Sequence, residues 1–217
     1  MIVLFMHIPK TGGASLIKIM ESQYGRFGND EGGFLNTSGI QTLESPTMEY
    51  KAVAGHFPYG FHRLFDNYQY ITLLRHPVER MVSSYNYNTQ LVSHDRFKGL
   101  TLHEYVRLPH ADFRNVMVRR LCGWPLHLQA CKPIGEKHLR LALANLEDFV
   151  VGFTEDYQES IKRIAIRLGW TLPSTLPRIH QTESIEEQYD QLRNDEEFIG
   201  FNRYDIELWQ IAKKGWV

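Results

Sequence analysis

Residues 2–15 read Ile2-Val3-Leu4-Phe5-Met6-His7-Ile8-Pro9-Lys10-Thr11-Gly12-Gly13-Ala14-Ser15. This run predicts a strand, a tight turn and the start of a helix. Ile2 to Ile8 is a largely apolar, β-branched and aromatic stretch that suits a buried strand, and Pro9 ends it. Lys10 to Ser15 makes the turn, and Leu16-Ile17-Lys18-Ile19-Met20-Glu21 continues as a helix. Strand, glycine turn and helix in direct succession is how α/β nucleotide-binding folds begin.

Outward from that start, the same grammar repeats. Lys51 to Phe57 is a second short strand, and Gln69 to Arg75 is a third, nearly continuous in apolar residues, as a parallel sheet covered on both faces requires. Pro77 then occupies a first helical position, with Val78 to Asn88 as the helix. Further helices are expected over 100–107, 112–121, 135–145, 155–168 and 202–213, with a strand from Asp148 to Phe153. Residues 25–47, rich in Gly, Asn, Ser and Thr, read as loop. Leu172 to Ser184, with Pro173 and Pro177, reads as extended or looped. No repeat, low-complexity tract or linker interrupts the 217 residues. The expectation is an α/β fold, a parallel sheet flanked by helices, in a single domain over residues 1–217.

The turn has the chemistry of a phosphate cradle. Gly12 and Gly13 let the backbone curl around an anion, and the N–H groups that follow point at it from a helix N-terminus. Lys10 adds a point charge, and Thr11 and Ser15 add hydroxyl donors. The Walker A order is different: there the lysine follows the glycines, whereas Lys10 precedes them and no Lys-Ser or Lys-Thr pair comes after. A second corner lies at Arg75, at the carboxyl end of the third strand, the edge where open α/β sheets bind ligands. Arginine offers a fork to a phosphate, and Ser83, about two turns into the following helix, offers one more donor. Two separate anion-binding corners suit a ligand charged at two places.

Composition narrows the classes. Hydrophobic residues at 43% and charged residues at 23% are ordinary for a globular chain and exclude a disordered tail or fibre. Lys and Arg number 24 against 25 Asp and Glu, so no bulk charge argues for a nucleic-acid partner. No apolar run approaches the ~18 residues of a membrane span. The short apolar opening Met1 to Met6 has no basic segment before it and no small-residue cleavage site after it, so, if Met1 is the native start, a cytoplasmic location is expected. Cys122 and Cys131 are too few for a disulfide framework and lack metal-ligand spacing; two reduced thiols are expected.

Taken jointly and in order, IPKTGG with Ser15, then Gly55-His56-Phe57-Pro58-Tyr59-Gly60, then LLRHPVERMVSSY, resemble the sulfotransferase superfamily. The HIPKTGG form is similar to the branch containing heparan sulfate 2-O- and 6-O-sulfotransferases and their bacterial relatives. Asn115 to Gly123 (NVMVRRLCG) and Asp148 to Thr154 (DFVVGFT) resemble that branch too, so the likeness spans roughly two thirds of the chain. It implies a P-loop-like, nucleotide-binding sulfotransferase fold without a Walker A lysine. The implied donor co-substrate is 3'-phosphoadenosine-5'-phosphosulfate (PAPS). By resemblance Lys10, Thr11, Gly12, Gly13, Ala14 and Ser15 bind its 5'-phosphosulfate, Arg75 with Ser83 its 3'-phosphate, and Asn115 and Arg119 a further cofactor-side segment. Ala14 departs from the family's more usual threonine, which removes one hydroxyl but keeps the backbone cradle.

Sulfuryl transfer needs a hydroxyl proton removed and charge stabilised on the departing phosphate oxygen, so Lys10 and a base are the expected catalytic groups. An imidazole has an ordinary pKa near ~6.5 and accepts a proton at neutral pH. His56, after a short strand and before the turn Pro58-Tyr59-Gly60, is the implied base, because the resembling segment carries it there. The related 2-O enzymes have a second histidine two positions earlier, where this chain has Ala54. His62 and His76 read as ordinary histidines, and His7 reads as a brace for the strand end. Because the donor is already activated, no metal is required in principle. The expected partner is a hydroxyl-bearing acceptor, a carbohydrate or a small metabolite. A nucleotide-dependent kinase on a related scaffold is the first alternative, opposed by the missing Gly-Lys-Ser/Thr and the arginine where an acidic strand end would hold magnesium. A binding module that has lost turnover is the second.

Overall fold

The computed structural model describes residues 1–25, 34–37, 50–92, 95–123, 132–179 and 184–216. Their first half holds β1 (Ile2–Met6), α1 (Gly13–Tyr24), β2 (Phe34–Thr37), β3 (Ala52–Gly55), β4 (Tyr68–Leu74), α2 (Pro77–Asn86) and α3 (Leu102–Arg107). Then follow α4 (Val116–Leu121), α5 (Glu136–Leu146), β5 (Phe149–Phe153), α6 (Tyr157–Leu168), α7 (Glu186–Arg193) and α8 (Glu196–Gly215). The chain divides into two compact units, Met1–Leu74 with Ala144–Ile179, and Arg75–Leu143 with His180–Val217.

The first unit is built on a five-stranded sheet in the order β2-β3-β1-β4-β5. Every pairing is parallel, which confirms the α/β expectation. The apolar run of β1 puts Val3 and Phe5 on one face, where they join Ala52, Ala54, Ile71 and Leu73 against Leu16, Ile19 and Met20 of α1 and Ile161 and Ile164 of α6. Leu4, Met6, Val53 and Tyr70, of opposite alternation, are equally buried. Both faces are therefore covered, the physical reason these strands carry no polar alternation. Buried Thr72 satisfies its hydroxyl by donating to Met6 O at 2.9 Å. The register sets Met6 opposite Gly55, so β1 and β3 end level and the residues after them emerge together.

The second unit is helical. Its core gathers Val78, Met81 and Val82 of α2 with Tyr105, Val106, Phe113, Leu192 and Phe198. Pro77 opens α2 as expected, where its missing N–H costs nothing. Thr101 and Glu104 form a reciprocal cap on α3. Asp195 caps α8 by accepting from Phe198 N–H at 3.0 Å.

Three expectations need correction. Residues 25–47 are not all loop: Phe34–Thr37 forms β2 at the sheet edge, too short to show periodicity, while 26–33 and 38–49 lie outside the described residues. The helix expected over 112–121 is broken. A 3₁₀ turn covers Ala111–Phe113, and α4 starts only at Val116 because Asn115 takes a left-handed backbone with φ 51°. The last helix begins at Glu196 rather than 202, and α7 precedes it in a stretch to which the sequence reading assigns no element.

Candidate active site

The turn after β1 is held by an unusual backbone. Lys10 has φ 68° and Gly12 φ 82°. Glycine takes that conformation without strain, but for lysine it costs about 1–3 kcal/mol, which surrounding structure must offset. Part of the offset is visible. The Thr11 hydroxyl, expected to face an anion, instead donates to Ile8 O at 2.8 Å, and its side chain is fully buried. Thr154, just past β5, donates its hydroxyl to Thr11 O at 2.8 Å and lies 3.2 Å from Leu74 O, tying the turn to the end of β4. What Thr11 contributes is rigidity and its backbone.

Helix α1 starts at Gly13 with no side-chain cap and no acidic residue in its first turn. The first N–H groups of a helix have no acceptor within it, and the helix dipole favours negative charge there. Ser15 accepts from Ile179 N–H at 2.9 Å through Oγ, and its hydroxyl also meets the Tyr157 phenol. Gly12 is flanked at 3.6 Å, measured from a Cβ built on it, by Thr154 and the Tyr157 ring. Burial pushes the Tyr157 phenol well above its ordinary value, so it stays neutral. Thr154 and Tyr157 were not singled out by sequence. Thr154 closes the DFVVGFT stretch, whereas Tyr157 lies three residues beyond it.

His56 follows β3 directly and is half-buried. Its Nδ1 lies 2.7 Å from His7 O. A carbonyl oxygen can only accept, so Nδ1 carries the proton and, in the neutral ring, Nε2 holds the lone pair. That is the tautomer a base needs. His7 N–H in turn donates to Gly55 O at 2.8 Å. The His7 and His56 rings are 4.7 Å apart, tilted by 31°, and Phe5 stacks on His7 at 5.3 Å and 19°. His7 thus does more than brace a strand end. His62 belongs to a separate cluster: it stacks on Tyr68 at 4.7 Å, and its N–H donates to Tyr70 Oη at 2.9 Å. Burial lowers its pKa. His76 meets Trp209 edge-on at 4.9 Å.

The remaining expected residues sit in the second unit. Arg75 follows Leu74 of β4 and is half-buried; Ser83 lies in α2, nearly buried. Asn115 is anchored to α8: its Oδ1 accepts from Tyr204 and Asp205 N–H, and its Nδ2 donates to Phe201 O. Arg119, 3% exposed, donates to Arg114 O at 2.8 Å and Lys132 O at 2.7 Å. Arg120 is buried against Asp112 at 3.3 Å rather than solvated. These contacts brace the helices around α4. Cys122 carries a free thiol that donates to His138 O, and burial pushes its pKa to about 12, which keeps it in the thiol form at neutral pH. Cys131 lies outside the described residues. Among the described residues no group of three His, Cys, Asp or Glu could hold a metal, and no helix is long and apolar enough to cross a membrane.

Comparison with known proteins bears on the fold and the family. Among solved structures, the chain is similar to a sulfotransferase from Alicyclobacillus acidocaldarius, with a TM-score of 0.52 and 14% identity over 97% of this chain and 94% of that one. It also matches mouse sulfotransferase SULT7A1, complexed with PAP, with a TM-score of 0.45 and 17% identity over 79% of this chain. The match spans 60% of the mouse chain. No curated protein matches the chain. The sulfotransferase family matches residues 2–197, nearly the whole sequence, and the chain belongs to that family.

Proposed function

We propose that the protein transfers a sulfuryl group from PAPS to a carbohydrate hydroxyl by in-line displacement. The observation that carries this reading is the bond from His56 Nδ1 to His7 O, which leaves Nε2 as a proton acceptor in the unit that also holds the Lys10–Ser15 cradle. His56 takes the acceptor's hydroxyl proton at Nε2 as the acceptor oxygen bonds to sulfur and the bond from sulfur to the 5'-phosphate oxygen breaks. Lys10 and the first-turn N–H groups of α1 meet the charge that grows on that departing oxygen. Arg75 and Ser83 are assigned to the 3'-phosphate, supported by the LLRHPVERMVSSY resemblance. The carbohydrate assignment is supported by the likeness of HIPKTGG and GHFPYG to the heparan sulfate branch.

The test offers labelled PAPS with a panel of saccharides, a glycosaminoglycan, simple phenols and a tyrosine peptide. Label should reach a saccharide, and His56→Ala should lower kcat by about 100- to 10,000-fold while PAP affinity stays near wild type. Near wild-type turnover by a folded His56→Ala protein would remove it as the base. Thermal stabilisation by magnesium-ATP but not by PAP would favour the kinase alternative, since a ligand stabilises only the state it binds.

A further inference from the structure

We propose that His7 is a positioning residue for His56: its imidazole, wedged between Gly13 and the His56 ring, fixes the plane in which His56 presents Nε2. This rests on His56 being the base. The hydrogen bond from Nδ1 to His7 O sets the tautomer, and the His7 ring, 4.7 Å away and tilted by 31°, packs against the His56 ring and limits its rotation. The His7 ring is itself immobilised on two sides. Phe5, fully buried in β1, backs it at 5.3 Å, nearly parallel. At another edge Gly13 is so close that a Cβ there would lie 2.2 Å from Cδ2 and Nε2 of His7. Gly13 is the first residue of α1, so the ring that orients the base is clamped by the turn read as the cradle. The second glycine of the motif is thereby explained by a close approach of a side chain as well as by anion binding.

The backbone carbonyl of His7 survives any substitution, so His7 variants isolate the ring from the hydrogen bond. The direct readout is the imidazole ¹⁵N relaxation spectrum of His56 without ligand. Wild type should show one ordered ring, His7→Ala a more mobile ring that stays protonated at Nδ1 because the carbonyl remains, and His7→Phe, which keeps a stacking ring, should restore the ordered form. With an acceptor that turns over, His7→Ala should lower kcat about 10- to 100-fold with donor KM within threefold, and His7→Phe should recover most of the loss. In a His56→Ala background, His7→Ala should change the rate less than about twofold, because a residue acting through His56 has nothing left to position. If His7→Ala lowers the melting temperature sharply, His7→Gln serves instead, as it keeps length and polarity without a stacking ring. An unchanged His56 spectrum in a folded ring-less variant would overturn the proposal, and so would equal losses in both backgrounds or failure of His7→Phe to rescue. Loss of the base reading is separately visible. It shows as full turnover by His56→Ala, while the spectrum still decides whether His7 orients the ring.

Discussion

Gly13→Ala isolates the contact on which the site's geometry depends. At the first position of a helix, alanine is ordinarily better than glycine by about 0.5–1 kcal/mol, so propensity alone predicts a gain. The structure predicts a loss. The new methyl would sit 2.2 Å from Cδ2 and Nε2 of His7 and 2.9 Å from Cε1. To reach ordinary contact at 3.4 Å the ring must withdraw by roughly 1.2 Å, and Phe5 and His56 occupy its flanks. Overpacking of this kind costs about 1–3 kcal/mol, which outweighs the propensity gain. For a chain of this size each kcal/mol moves the melting temperature by about 2–4 °C, so a fall of a few degrees is expected. Turnover should suffer more, since displacing a catalytic group by ~1 Å can cost 100-fold. Gly12→Ala is the control: its backbone at φ 82° is strained for alanine, but its Cβ meets neighbours only at 3.6 Å and displaces no ring. Melting curves, PAP titration and sulfate transfer on both variants give the comparison, and His7→Ala added to Gly13→Ala should recover the lost stability. A Gly13→Ala protein that melts higher than wild type with unchanged turnover would show that the ring yields freely, and the reasoning would fail.

Two further predictions test other parts of the molecule. Lys10→Ala should slow transfer from PAPS and from adenosine 5'-phosphosulfate alike, whereas Arg75→Ala should weaken binding of PAP far more than of ligands lacking the 3'-phosphate; equal losses for both ligand types would exclude Arg75 as the 3'-phosphate clamp. In the second unit, burial pushes Asp205 up to about 6 from an ordinary 3.8, although its carboxylate accepts from Met117 and Val118 N–H at 3.0 and 2.9 Å. The folded state therefore holds this proton more tightly than the unfolded one. Its contribution is full below pH ~4 and is lost as pH rises through ~6, a swing of about 3 kcal/mol. Asp205→Asn, which keeps an acceptor oxygen, should flatten the fall in melting temperature between pH 4 and 7 relative to wild type, and an identical slope in the variant would refute the assignment.

Much of this was legible because it is written in local, repeated signals. A continuous apolar run, Pro9 and two glycines fix a strand, a turn and a helix in neighbouring residues, and the runs at Gln69 and Asp148 declare parallel strands by lacking polar alternation. Signals failed where they were short or polar. Phe34–Thr37 has too few residues to show a period, and α7, Glu-Glu-Gln-Tyr-Asp-Gln-Leu-Arg, buries only Leu192. The helix expected over 112–121 runs too far because nothing in the sequence announces that Asn115 turns left-handed and bonds the middle of α8.

The site divides along the same line. Residue types able to hold an anion or move a proton can be named from sequence, but what each side chain faces depends on partners far along the chain. Thr11 turns its hydroxyl inward because Ile8 O lies within its own turn, and Thr154, 143 residues away, closes on Thr11 O. The link from His7 to His56 requires the register. Met6 opposite Gly55 forces the next residue of each strand to emerge side by side, so His7, read as a strand-end brace, and the candidate base His56 become neighbours. A one-residue slip of β3 would send alternate side chains to the opposite face and break that pairing. Ala52, Ala54 and Gly55 lie opposite Val3, Phe5 and Met6, and that register is what brings His56, the proposed base, beside His7.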